Sequence, residues 1–253
     1  MSDTSSSPQE VSSATSLAQR PLPADTIGLL EGLTTTRAIR RYVDEPVPPE
    51  ALRSILHAAT RAPSGSNRQP FRMVVLTDGP NAREAKRLIG GAARAAWRAK
   101  RRRDAYDTGS GAIPTSPKAR TARTLQRYVD ELDRVPVLIL PCLVRYREAM
   151  SFEGASVYPA CQNVLLAARA LGYGGALTGW HFGVEGELRS LLGIPDNVFM
   201  AATITLGRPE GRHGPVRRRP MGELIFEESW GIPASWAVDP PGTRHTSAGP
   251  PQS

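Results

Sequence analysis

Apolar and polar positions alternate with different periods along the chain, and each change of period marks an element. Residues 27–42 open on an apolar stretch and run into Thr34-Thr35-Thr36-Arg37-Ala38-Ile39-Arg40-Arg41-Tyr42. The threonines are placed to cap a short helix, which would set Arg37, Arg40 and Arg41 at i, i+3 and i+4 on one face. Pro48 and Pro49 suit the first turn of the next helix, where Leu52, Ile55, Leu56 and Ala59 form an apolar stripe at helical spacing. Pro63 ends it. Residues 71–77 then read as a largely buried strand, stopped by Asp78-Gly79-Pro80. Residues 81–103 and 120–132 predict helices, joined by a 104–117 loop longer than most connectors. Residues 135–144 predict a second buried strand, whose Pro136 and Pro141 point to strand ends or a sheet edge. Residues 155–171 predict a helix with Ala160, Val164, Leu165, Ala168 and Leu171 on one side and Gly172 as its cap. Its Gln162 and Asn163 suit backbone satisfaction better than chemistry. A glycine-rich loop and short strand span 172–180, a short helix spans 185–192, and a third strand is expected over 199–207. Helices alternating with buried strands imply an α/β or α+β sheet covered by helices.

Composition narrows the class. The 253 residues are 40% hydrophobic, enough for a substantial core. Residues 1–25 and 240–253 read as disordered tails and 26–239 as the folded unit, with no strong linker inside it. The start of the chain lacks an apolar h-region, and no apolar run is long enough to span a bilayer. These features predict a cytoplasmic protein. Cys142 and Cys161 lie in apolar surroundings without metal-ligand spacing and read as small buried hydrophobes. His57, His181, His213 and His245 show neither triad nor metal spacing, so no metal is expected.

The net charge of +8 raises the question of a nucleic-acid partner. Much of the excess falls in residues 83–134, including Lys100-Arg101-Arg102-Arg103. No aromatics interleave with these charges as in a stacking platform. A solvated helix and loop is the favoured reading there, and nucleic acid is disfavoured.

The candidate chemistry lies elsewhere. Arg61-Ala62-Pro63-Ser64-Gly65-Ser66-Asn67-Arg68-Gln69-Pro70-Phe71 is a polar turn with two prolines between a helix and a strand. Its backbone at Ser64 and Gly65 and its amides at Asn67 and Gln69 suit a flat polar ligand. Three arginines at 37–41 repel one another unless an anion or carboxylates sit among them; a phosphate or a flavin edge would serve, as would pairing with Asp44 and Glu45. A second arginine cluster follows at Arg217-Arg218-Arg219.

Together these motifs resemble the nitroreductase family. Thr-Arg-Ala-Ile-Arg-Arg-Tyr followed by Asp44-Glu45-Pro46-Val47-Pro48 is similar to that family's opening motif. The 62–71 turn is similar to its Pro-Ser-Gly-x-Asn-x-Gln-Pro-aromatic turn. Gln162-Asn163, Leu171-Gly172-Tyr173-Gly174, Leu206-Gly207-x-Pro209 and Arg218-Arg219-Pro220 follow in the family's order. The resemblance covers residues 26–230.

It implies a three-layer α/β/α sandwich of the α+β class, with a central mixed, mostly antiparallel sheet. It also implies a homodimer with tightly bound FMN in each of two interface sites. The implied activity is an FMN-dependent NAD(P)H oxidoreductase, reducing a nitro-aromatic, quinone or enone-like acceptor by ping-pong hydride transfer. Carried over by position, Arg37, Ala38, Arg40 and Arg41 would lie against the flavin, with Arg40 at the pyrimidine edge and Arg218 at the phosphate. Pro63, Ser64 and Gly65 would contact the ring from the other subunit, with Asn67 and Gln69 as polar neighbours. Thr178 and Gly179 would place backbone near the reactive nitrogen. No side chain is expected to act as a catalytic nucleophile, because the flavin carries the chemistry. Two departures stand out: Thr36-Arg37-Ala38 occupies the place of the family's common Arg-Arg-Ser, with Arg217 or Arg219 as substitutes for the missing cation, and residues 97–125 lie where a substrate lid is often built. The alternatives are a flavin-dependent dehydrogenase or dehalogenase of a particular metabolite, or a non-catalytic flavin- or nucleic-acid-binding regulator.

Overall fold

A computed structural model describes residues 21–246 of the chain; residues 1–20 and 247–253, most of the two expected tails, lie outside the described residues. The helices are α1 (Leu29–Thr35), α2 (Pro49–Ala59), α3 (Pro80–Arg103), α4 (Pro117–Asp130), α5 (Tyr158–Ala170) and α6 (Glu185–Leu192). The strands are β1 (Phe71–Leu76), β2 (Val137–Val144), β3 (Gly174–Thr178), β4 (Val198–Met200) and β5 (Thr203–Gly207).

The sheet runs β1-β2-β5-β3, and β4 pairs with β2 beside β5. All four ladders among the described residues are antiparallel, so the mixed sheet expected from the sequence reduces to an antiparallel one. Two layers of helix cover it. Val137, Ile139 and Leu143 of β2 face α2 and α5, packing with Ile55, Ala59, Val164 and Ala168. Leu138, Leu140 and Cys142 face the other way, onto Ile89 and Trp97 of α3, Val129 of α4 and Leu188 of α6. This period of two, buried on both faces, is what a central strand between two helical layers requires.

Three expectations are corrected. The run Thr34-Thr35-Thr36 closes a helix instead of opening one: each hydroxyl donates to a carbonyl one turn back, Leu30 O (2.9 Å), Glu31 O (2.7 Å) and Gly32 O (2.6 Å). Residues after it are extended, so Arg37, Arg40 and Arg41 share no helical face. Second, β2 is central: Pro136 falls just before its first residue, as a strand end, but Pro141 lies inside it. Pro141 is tolerated because the neighbouring strand changes there, from β5 at Val137–Ile139 to β4 at Cys142–Val144, and its carbonyl still accepts from Ala201 N at 2.8 Å. Third, the strand expected over 199–207 is two strands, broken at Ala201-Ala202. In addition, β1 is an edge strand and is only partly buried along its middle.

Other readings hold. Gly172 (φ +79°) and Gly193 (φ +64°) adopt the left-handed conformation that ends α5 and α6. Asn163 Nδ2 donates to Ala58 O at 3.0 Å, tying α5 to the end of α2. Cys142 and Cys161 are buried and free, and burial pushes their thiols up to about 11 and about 12. Lys86 is the one buried cation among the described residues. Its ammonium donates to Val135 O (2.7 Å), Pro136 O (3.3 Å) and Thr77 O, pinning α3 to the ends of β1 and β2, and burial lowers its pKa.

Candidate functional site

Two ends of the sheet carry the candidate residues. At one end, residues 37–43 run extended across the strand termini. Ile39 N donates to Gly175 O (2.9 Å), Val43 N to Arg208 O (3.0 Å) and Glu210 N to Arg41 O (3.1 Å). Alternation along this segment buries Ile39, leaves Arg40 half-buried and exposes Arg37, Ala38 and Arg41. Arg40 stands between two clefts. One, of about 390 Å³, lies against α4 and is lined by Tyr42, Arg127, Tyr128, Glu131 and Glu210. The other, of about 350 Å³, is lined by Arg37, Ala38, Arg41, Thr124 and Arg212.

The electrostatics of the two clefts differ. Arg127 is saturated, with Glu131 at 2.8 Å and Glu210 at 2.5 Å. Among the described residues no carboxylate pairs with Arg37, Arg40, Arg41 or Arg212; Arg37 donates to the backbone of Arg212 at 2.8 Å. Asp44 does not close on them, and Glu45 pairs with Arg208. Four unpaired guanidinium groups around one cleft are the arrangement an anion stabilises. Behind Arg40, Tyr128, Thr205 and Tyr42 form a hydroxyl chain (2.6 and 2.8 Å) that ends on Ile39 O at 2.6 Å. Because the Tyr42 hydrogen goes to that carbonyl, Thr205 donates to Tyr42 and Tyr128 donates to Thr205. Burial pushes the Tyr128 hydroxyl up to about 12, and burial with Tyr128 nearby holds Tyr42 well above the ordinary phenol range; Arg40 opposes both shifts weakly. The chain is a neutral, satisfied support for the arginine segment.

The second arginine cluster is brought to the same end by Val216 N, which donates to Thr34 O at 3.3 Å. Arg219 is committed to Glu223 at 2.7 Å, whereas Arg217 and Arg218 are exposed and have no carboxylate partner among the described residues. The Arg218 carbonyl accepts from Thr246 N at 2.9 Å.

The turn at 63–69 lies at the other end. Ser66, Asn67 and Gln69 all have positive φ (52°, 51° and 49°), a conformation that costs roughly 1 kcal/mol or more per non-glycine residue. Ser64 offsets part of this by accepting from Gln69 N at 2.9 Å, and Asn67 N donates to Ser64 O at 2.9 Å. The Gln69 amide donates to Asn67 Oδ1 at 3.1 Å, and Gly65 N donates to Ser156 Oγ at 3.3 Å. Pro63, Gly65, Asn67 and Gln69 are exposed. A strained, hydrogen-bonded turn held open to solvent is costly for a mere connector.

Thr178 and Gly179 end β3. Thr178 Oγ1 reaches Thr203 O only at 3.5 Å, and a Cβ at Gly179 would fall 2.9 Å from the Phe182 ring. Beneath them His181 is buried, its Nε2 2.8 Å from Met200 O and its Nδ1 3.0 Å from Thr203 Oγ1. The carbonyl fixes the hydrogen on Nε2, so Nδ1 accepts from Thr203, and burial lowers the pKa. His181 therefore anchors this bend as a neutral ring.

The structure does not bring the three groups into one pocket of one chain. Val137 of β2 is level with Leu206 at the arginine end, and Leu143 is level with Phe71 at the turn. Six residues of strand separate them, roughly 20 Å. The turn precedes β1 and Thr178 ends β3, on opposite edges of the sheet, three strand spacings (roughly 14 Å) apart across it and further offset along it. Sequence reasoning missed Arg212, His181 and the α4 wall of Tyr128 and Arg127; no motif marks them, and only the fold sets them beside Arg40 and Thr178.

This α+β fold is shared with known proteins. The chain belongs to the nitroreductase family, whose profile matches residues 33–208, and is an oxidoreductase. It is 31% identical over 183 residues to a candidate NADH dehydrogenase/NAD(P)H nitroreductase of Archaeoglobus fulgidus (72% of this chain, 85% of that one). It is 29% identical over 194 residues to the nitrobenzene nitroreductase of Ectopseudomonas oleovorans (68% and 82%). Among solved structures, a candidate nitroreductase in complex with FMN from Desulfovibrio desulfuricans is 29% identical, with a TM-score of 0.58 over 81% of this chain and 98% of that one.

Proposed function

We propose that residues 26–239 form an FMN-binding unit that passes electrons from NAD(P)H to a nitro-aromatic, quinone or enone-like acceptor in a ping-pong cycle, in the cytoplasm. The observation that carries this reading is the unpaired set Arg37, Arg40, Arg41 and Arg212, in a family with an FMN-bound relative. A phosphate and an electron-rich ring edge are the ligands that such cations fit.

Bound FMN would supply two-electron chemistry, accepting a hydride from the nicotinamide and delivering it to the acceptor. For a nitro-arene the balance is R–NO2 + NAD(P)H + H⁺ → R–NO + NAD(P)⁺ + H2O. The chain's own residues bind and orient. Arg218, with Arg37 and Arg41, holds the phosphate; Arg219 is taken up by Glu223. Arg40 sets positive charge at the pyrimidine edge, where it favours negative charge on the ring. Thr178 and Gly179 offer backbone to the reactive face, and His181 holds that bend. Pro63, Ser64, Gly65, Asn67 and Gln69 are about one sheet length from the arginines in a single chain, which supports their serving the site of a second copy in a homodimer. FMN is held tightly enough to survive purification.

The test is titration of the protein with FMN, followed by reduction with NADH or NADPH and reoxidation by nitrobenzene. Uptake of FMN with reduction by at least one nicotinamide is expected; a protein that binds no FMN sinks the reading.

A further inference from the structure

We propose that a recess beside the 63–69 turn receives the acceptor of this site and selects aromatic acids, that is, a single planar ring bearing a carboxylate or similar anionic group. This rests on the reading that the turn serves the flavin site. The recess has a volume of about 130 Å³ and is bounded by Gly65, Tyr146, Arg147, Phe152 and Ser156. An apolar cavity of about 150 Å³ holds a benzene molecule, so the space suits one aromatic ring.

Its walls and charges define the class. Tyr146 and Phe152 are 54% and 61% exposed, far more than the core residues beside them, and put aromatic surface at the recess. Arg68 lies over Tyr146 at 4.6 Å, and Arg147 lies near both Tyr146 (5.3 Å) and Phe152 (5.8 Å). Stacking fixes a guanidinium plane while leaving its N–H edge free to meet a carboxylate. Neither Arg68 nor Arg147 has a carboxylate partner among the described residues. Arg145, also in the lining, is paired with Glu153 at 2.5 Å and lies over Phe199 at 4.7 Å. In the lining Glu148 is the acid left beside Arg147, and Arg68, outside the lining, adds a second cation through its stack on Tyr146. The bond from Gly65 N to Ser156 Oγ fastens this wall to the strained turn, so a ring in the recess lies next to the residues assigned to the flavin. The wall over 145–156 is thus the segment assigned to choosing the acceptor.

The experiment is calorimetric titration of the FMN-saturated protein with 4-nitrobenzoate and with its neutral methyl ester. The acid is expected to bind about tenfold tighter than the ester. In the R68Q/R147Q double variant the preference should fall to within about twofold with ester affinity unchanged, and F152A should weaken both ligands. Steady-state kcat/KM for the two acceptors should follow the same ratio. Equal binding of acid and ester by the wild type, or an unaltered ratio in R68Q/R147Q, overturns the proposal. A protein that takes up no FMN overturns the flavin reading instead. The same titration still decides the recess then: preference for the acid keeps it as an anion-selective aromatic site, and no preference removes it.

Discussion

The two basic regions of this chain differ in how their charge is arranged. In the α3–α4 hairpin, Arg87, Arg94, Lys100, Arg101, Arg103 and Arg127 each have a carboxylate partner, and Lys86 is surrounded by three backbone carbonyls. At the sheet end, Arg37, Arg40, Arg41 and Arg212 have none among the described residues. Charge counted along the sequence draws attention to the hairpin. Hairpin cations such as Arg98, Arg102 and Arg123 also lack a carboxylate partner among the described residues, but at the sheet end four such cations line one cleft. The proposed ligand cations are those at 37–41 and 212, which face one cleft.

Breaking this contrast should give effects in a definite order. Lys86→Ala leaves three carbonyls unsatisfied inside the protein, and it should lower unfolding stability by about 2–4 kcal/mol in urea titrations. Wild-type stability in that variant would remove Lys86 from the structural side of the contrast. Arg40→Ala should weaken FMN binding roughly 10- to 100-fold by fluorescence titration, because a charge-assisted contact is lost. Arg98→Ala, on the exposed face of α3, serves as its control and should leave FMN affinity unchanged. Full retention of FMN by the Arg40 variant would contradict the assignment of that residue.

A smaller effect concerns pH. Burial depresses the folded-state pKa of His181, and of His213, which packs beside Gly174. Below the unfolded-state value of about 6.5 the unfolded chain binds protons that the folded chain refuses. Stability should therefore fall as pH drops through about 6.5, by at most about 1.4 kcal/mol per pH unit per histidine, and level off below the folded pKa values. His181→Gln should flatten this slope in urea midpoints measured across that range, and a slope unaltered by the substitution would remove His181 as its source. The smallest effect is expected for Arg87→Ala, whose pair with Glu84 is exposed and screened by solvent, so the urea midpoint should stay at the wild-type value. In the same spirit, duplex DNA should not shift with this protein at physiological salt.

Much of the fold was legible because its signals are local. The stripe Leu52, Ile55, Leu56 and Ala59, the β-branched run before Thr77 and the cap glycines Gly172 and Gly193 each act within a few residues. The errors lay where a distant neighbour decides. Thr34-Thr35-Thr36 suits either helix end, and the segment from Arg37 to Val43 is drawn into extended backbone by Gly175 and Arg208. Pro141 looks disqualifying in a central strand until β4 and β5 are seen to meet opposite it. For the site, motif order led to the family, and Val216 N bonding to Thr34 O sets the 217–219 segment near residues 37–41. Whether a given arginine is free was not legible, because Glu223 and Glu210, which occupy Arg219 and Arg127, are recognisable as partners only in three dimensions. No helix among the described residues is long and apolar enough to cross a membrane.

The most direct test is the visible absorbance spectrum of the purified protein, recorded as isolated and after addition of FMN and gel filtration. An oxidised-flavin band at one FMN per chain is the expected result. A colourless protein that retains no flavin after FMN is added would contradict the claim that the unpaired arginines at the sheet end hold a cofactor.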